Sequence, residues 1–166
     1  MSSLAVKRAM RDFDVLSRVC ATGEDPFLVS ISQQDEDLFH WCVVINPPPE
    51  SVYAGISYEL LLSLSPISYP IEPPSIRLLT PIFNPIVSAE GKICEGLLAS
   101  LDWKPTKKPT DVLKLIVESI FLNYKRYDVL NERAAELLYM DEKKFIEEVR
   151  LHKMNIVGGQ GNTPIL

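Results

Sequence analysis

Cys94 is the residue whose type and setting most readily carry chemistry. A thiolate is both a good nucleophile near neutral pH and a good leaving group. Cys94 closes the stretch Asn84-Pro85-Ile86-Val87-Ser88-Ala89-Glu90-Gly91-Lys92-Ile93-Cys94. A proline-dense segment, Ser65 to Leu78, precedes this stretch, and Trp103-Lys104-Pro105 follows it. The structural alternative is a small buried hydrophobe, the common state of a free cysteine. Asn84 is the nearest amide. It either folds back to donate a hydrogen bond near the thiol or serves as a polar turn residue before proline. His40 and His152 are the only two histidines. Neither stands where it would act as a base for Cys94, so a thiol peptidase lacks its partner.

Composition narrows the field further. The chain has 166 residues, 46% of them hydrophobic and 23% charged, which fits one globular domain with a good core. A net charge of −5 argues against general nucleic-acid binding. No apolar run approaches the ~20 residues of a membrane span, and the N-terminus shows no signal-peptide hydrophobic region. Cys20, Cys42 and Cys94 are far apart with no Cys-x-x-Cys pair, so neither a disulfide scaffold nor a zinc site is expected. Reduced thiols place the chain in the cytoplasm or nucleus. No metal or organic cofactor is implied.

The elements that must position Cys94 can be read from periodicity. Leu4, Val6, Ala9, Met10, Phe13, Leu16 and Val19 recur at helical spacing, with Ser2 or Ser3 as cap and Gly23 to Pro26 as terminator. Strands are expected over 27–31, 38–45, 53–64 and 75–79, joined by polar turns and interrupted by Pro47-Pro48-Pro49. Strands in succession with no helix between them predict an antiparallel meander. Residues 84–110 read as irregular, with at most a turn after Cys94. An apolar, central helix is expected from Val112 to about Asn123, then helices over 132–140 and 141–153. The fold class is α+β: an N-terminal helix, a four-stranded antiparallel meander, an irregular active-site segment and C-terminal helices. Residues 1–155 form the domain and 156–166 a flexible tail.

Seven signatures in order resemble the ubiquitin-conjugating enzymes, over roughly Leu4 to Asn155. They are Val6-Lys7-Arg8, Phe39-His40-Trp41, Tyr53-Ala54-Gly55, Tyr69-Pro70-Ile71-Glu72-Pro73-Pro74, Ser88 to Cys94, Trp103-Lys104-Pro105 and Asn131 to Leu137. The chain departs from the family at its His-Pro-Asn motif, which here is Asn84-Pro85-Ile86. The family's asparagine stands eight positions before the cysteine, and Ile86 in that slot has no side-chain donor. The segment from Cys94 to Trp103 is one residue longer than in many members, closer to the branch that serves thioester-forming ligases. The later loop lacks the family's proline-rich run.

The resemblance implies a ubiquitin-conjugating (UBC) fold and a monomer. It also implies a catalytic Cys94 that takes ubiquitin or a ubiquitin-like protein from an activating enzyme, where the ATP is used. The acyl group then passes to a ligase cysteine or a substrate lysine. Asp128 aligns with an acidic residue flanking the active site, where it would orient or deprotonate a lysine; otherwise it is a capping or surface carboxylate. Lys7, Arg8 and Arg11 correspond to basic positions facing the activating enzyme, or else form a solvated helix face. Ile71, Lys104, Pro105 and Thr106 fall where the family meets a ubiquitin ligase. Tyr69-Pro70 is expected to be cis. A non-catalytic adaptor that binds ubiquitin or a ligase is the competing reading, favoured by Ile86.

Overall fold

The structure is a computed structural model that describes residues 2–99, 102–125 and 128–161. Helix α1 spans Ser3–Thr22. The Ser2 side chain accepts the Ala5 N–H at its start, and Gly23 closes it with φ 68°, a left-handed conformation that glycine adopts without strain. Strands β1 (Leu28–Gln33), β2 (His40–Ile45), β3 (Tyr58–Ser63) and β4 (Ser75–Leu78) follow. They pair antiparallel in the order β1-β2-β3-β4, the expected meander.

Alternation fixes the register. Trp41, Val43 and Ile45 of β2 are buried and pair with Leu62, Leu60 and Tyr58 of β3, which are buried too. Leu62 and Leu60 continue onto Ile76 and Leu78 of β4. A slip by one residue would turn this whole apolar face outward.

The third strand is shorter than the expected 53–64. Residues 51–57 instead make turns: the Ser51 N–H donates to Pro48 O, the Ala54 N–H donates to Ser51 O, and Gly55 has φ 108°. Tyr53 still serves the core. Its ring packs edge-on to Tyr58 at 6.3 Å, and its hydroxyl donates to Phe83 O at 2.5 Å. Burial pushes that hydroxyl well above its ordinary range, so it remains a donor.

After β4 come α2 (Glu95–Ala99), α3 (Pro109–Phe121), α4 (Glu132–Met140) and α5 (Glu142–Gly161). The central helix α3 starts earlier than the expected Val112. Pro109 opens it, and the Asp111 carboxylate takes the Lys108 N–H; a first-turn proline gives up no hydrogen bond. Val112, Leu113, Ile116, Val117, Ile120 and Phe121 are buried, and the Phe121 ring lies 5.1 Å from Tyr58. Asn131 caps α4 by accepting the Ala134 N–H.

Helix α5 continues through residues 156–161, within the span expected to be a tail. The Lys153 amine holds it down by donating to Val52 O and Ala54 O at 2.7 and 2.8 Å. Residues 162–166 of that expected tail lie outside the described residues.

One close approach joins the segment leading to Cys94 to the sheet. The Leu78 N–H donates to Gly91 O at 2.9 Å, and Gly91 has φ 84°. A Cβ at position 91 would lie 1.9 Å from Leu78 O, which is backbone and does not yield. Gly91→Ala therefore combines a left-handed penalty with a steric clash, at about 2–3 kcal/mol or more. The expected readout is a fall in Tm of roughly 5–10 °C. A variant that melts with the wild type would remove this contact from the fold's requirements.

Candidate active site

The segment 84–94 folds as a tight hairpin against the sheet edge. Val87 and Ile93 form an antiparallel bridge, and Arg77 of β4 bridges Lys92. Inside the tip, the Ser88 N–H donates to Lys92 O, the Lys92 N–H to the Ser88 hydroxyl and the Gly91 N–H to Ser88 O. Cys94 leaves the hairpin with its N–H on Ile86 O at 3.1 Å, and its own carbonyl accepts the Leu98 N–H. The thiol-bearing residue is thus fixed on both sides by backbone bonds. Cys94 is 0% exposed, as is Ile86.

Asn84 is equally buried, and both ends of its amide are engaged. The side-chain Nδ2 donates to Ile120 O at 2.8 Å, Oδ1 accepts the Ile86 N–H at 3.0 Å, and the amide also meets the Tyr53 hydroxyl. It braces the hairpin against the end of α3. The amide is thus placed on Ile120 O and the Ile86 N–H, and a buried amide leaves its partners only at a large desolvation cost. The Ile86 N–H is consumed by the same brace. Among the described residues no buried side-chain polar atom lacks a partner.

Asp128 faces the same glycine as the thiol. The Leu130 and Asn131 N–H groups both donate to Pro85 O, at 2.8 and 3.1 Å, which ties the segment before α4 to the hairpin base. A Cβ placed at Gly96 would lie 3.4 Å from Asp128 Oδ2 and 3.6 Å from Cys94 Sγ. The exposed carboxylate and the buried thiol therefore flank one glycine. Gly96 was not singled out in the sequence, where a lone glycine two residues after Cys94 carries no signal of its own.

The two histidines are engaged with other partners. His40 pairs with Asp37 at 2.8 Å, and His152 stacks on Phe83. Burial raises the Cys20 thiol, helped by Asp25, and raises the Cys42 thiol, helped by Glu59. No group of three or more metal-ligating side chains occurs among the described residues. No helix among them is long and apolar enough to cross a membrane.

Ile71 is 70% exposed, and Lys104, Pro105 and Thr106 are exposed beside it. Lys7 and Arg11 are exposed on α1, but Arg8 is half-buried and turned inward. Its Nε donates to Asp12 at 2.7 Å, its Nη1 to Pro105 O at 2.6 Å and its Nη2 to Lys107 O at 2.8 Å. The Tyr69-Pro70 bond is cis.

With this geometry in view, comparison with known proteins is informative. The family model described as ubiquitin-conjugating enzyme matches residues 8–153. The chain belongs to the ubiquitin-conjugating enzyme family. It is 34% identical over 90 residues to "Ubiquitin-conjugating enzyme E2 14" of Schizosaccharomyces pombe, a match that covers 54% of this chain and 57% of that protein. The chain thus spans a little over half the length of that curated relative.

Among solved structures it is similar to a Trypanosoma cruzi protein described as a ubiquitin conjugating enzyme. The TM-score is 0.79 at 30% identity, covering 90% of this chain and 97% of that one. A Plasmodium yoelii structure of similar description gives a TM-score of 0.76 at 19% identity, covering 93% and 96%, and supports the fold alone. An N-terminal helix, a four-stranded meander and C-terminal helices are the UBC fold of these neighbours.

Two outcomes follow from the site. Asn84→Ala strands the Ile86 N–H and Ile120 O, at a cost of about 3 kcal/mol. The corresponding fall in Tm is roughly 6–12 °C; a fully stable variant would mean that the brace is dispensable. Iodoacetamide labelling of the native protein at neutral pH is expected to be slow at all three cysteines. Cys94 is enclosed, while raised thiols at Cys20 and Cys42 keep the thiolate scarce, so labelling of those two climbs only as pH rises well above neutral. Mass-spectrometric rates against pH check this, and fast neutral-pH labelling of Cys42 would contradict it.

Proposed function

We propose that this chain is an active conjugating enzyme that carries ubiquitin or a ubiquitin-like protein as a thioester on Cys94. The observation that carries the reading is the Cys94–Gly96–Asp128 arrangement at the exit of a braced hairpin, in a chain of this family. In the charging step the Cys94 thiolate attacks the modifier's C-terminal thioester on an activating enzyme. The new S–C bond forms, and the activating enzyme's thiolate departs. In the second step a nucleophile attacks the same carbonyl, and Cys94 leaves as thiolate.

For a lysine nucleophile, the amine must shed a proton, and the Asp128 carboxylate, which faces Gly96 together with the thiol, is the group assigned to receive or orient it. Position 86 supplies no side-chain donor for the oxyanion. Ile86 has none, and its backbone N–H is already bound by Asn84. Loss of one such donor typically costs about 10²- to 10³-fold in rate. A ligase cysteine, as thiolate, is the stronger nucleophile and depends less on that donor. Transfer to a thioester-forming ligase is therefore the favoured second step, and direct attack by lysine the impaired one.

The adaptor reading, in which the fold binds ubiquitin or a ligase without transfer, draws support from the full enclosure of Cys94 and from Ile86. A charging assay separates the two. Incubation with ubiquitin, activating enzyme and ATP is expected to give a thiol-sensitive adduct on a non-reducing gel. Cys94→Ala abolishes it, and Cys94→Ser converts it to a thiol-resistant ester. Discharge to free cysteine is expected to outpace discharge to free lysine, with Ile86→Asn restoring lysine discharge by about tenfold or more. No adduct with activating enzymes for several modifiers would leave the adaptor reading in its place.

A further inference from the structure

We propose that Arg8 is a positioning residue for the loop 104–107, the expected ligase-facing surface, and not a free cation offered to the activating enzyme. The inference rests on the function proposed above for the meaning of that surface, and on geometry alone for the role of Arg8.

The guanidinium is spent on three internal partners. Nε donates to the Asp12 carboxylate, and Nη1 and Nη2 donate to the main-chain oxygens of Pro105 and Lys107. Those two residues bracket Thr106 and adjoin Lys104. The planar fork of arginine can hold two carbonyls and a carboxylate at once, while the single ammonium of lysine cannot match that geometry.

Asp12 explains why the arginine is retained inward. It is only 4% exposed, and its Oδ2 also accepts the Tyr69 hydroxyl at 2.5 Å. A nearly buried carboxylate needs a cation, and Arg8, one helical turn before it, supplies it. The chain of contacts then closes on itself. Tyr69 stands 6.2 Å from the Trp103 ring, and the Trp103 Nε1–H donates to Pro70 O at 2.8 Å. Trp103 in turn leads directly into the 104–107 loop. Two loops, one bearing exposed Ile67 and Ile71 and the other Lys104 to Thr106, are thus held in fixed relation by α1. Lys7 and Arg11, by contrast, are exposed and make no ion pair with a described residue.

The test compares Arg8→Lys and Arg8→Gln with the wild type by amide hydrogen exchange. Exchange over residues 104–108, including the Lys107 N–H that donates to Lys104 O, is expected to speed up roughly tenfold in both variants. Arg8→Lys keeps the charge near Asp12, so it serves if Arg8→Gln fails to fold. In single-turnover transfer to the catalytic domain of a thioester-forming ligase, Arg8→Lys should raise the half-saturating ligase concentration roughly tenfold and keep the maximal rate. Unchanged exchange over 104–108 would overturn the proposal. So would a loss confined to charging by the activating enzyme. If the wild type is never charged, the conjugating reading fails while the exchange measurement still decides the role of Arg8.

Discussion

The buried amide of Asn84 is the polar link on which the site geometry depends. It binds the end of α3 through Ile120 O, holds the hairpin base through the Ile86 N–H and meets the Tyr53 hydroxyl in the aromatic cluster. The rest follows from that fixed turn. Pro85 O is aimed to receive the Leu130 and Asn131 N–H groups, and Ile86 O to receive the Cys94 N–H. The approach of Asp128 to Cys94 is therefore set by backbone bonds to the turn, not by any direct bond between the two side chains. Such an arrangement tolerates changes in loop length downstream of α3, because the register is fixed at Pro85 and not by counting residues from the helix.

A second anchor acts on the opposite side of the hairpin. Gly91 lets the chain press its carbonyl against the Leu78 amide, which extends β4 by one irregular rung. Gly91 on the sheet and Asn84 on the helix thus hold the short hairpin from both sides and set where Cys94 sits in the unpartnered chain. Under the proposed function, this bracing positions the nucleophile before substrate arrives, the contribution a scaffold makes to acyl transfer.

The architecture was legible wherever the signal was periodic. The Leu4-to-Val19 spacing, the alternation across β2 and β3, and the apolar run of α3 all mapped onto elements of the expected type. Boundaries failed where a local hydrogen bond overrode the pattern. Pro48 O and Gly55 curl residues 51–57 out of the third strand, Pro109 draws the start of α3 forward, and Lys153 pins α5 so that it continues past residue 155. The residues before Cys94 carried the resemblance to the family that the chain belongs to. The fate of Asn84 was not legible there, since a side chain near a proline turn gives no hint of a carbonyl 36 residues away. Arg8 is the same case. Its spacing on α1 suggests a wet basic face, and only the fold brings Pro105 O and Lys107 O within its reach.

Ile86 connects the two unusual properties of the centre. An asparagine there would need polar company; an isoleucine is drawn into the core, and it is 0% exposed. Its N–H and C=O are both taken, by Asn84 and Cys94, so the turn is sealed by apolar packing and by backbone bonds together. That sealing accounts for a thiol with no exposed surface as well as for the missing oxyanion donor. Under the proposed function, a small nucleophile gains little by approaching such a site, because it brings no binding energy to open it. A protein partner docked over Ile71 and the 104–107 loop brings a large contact area, part of which can be used to shift the chain around Cys94. On this physical ground, the substitution at position 86 makes transfer depend on the docked partner more than on the chemistry of the bare site.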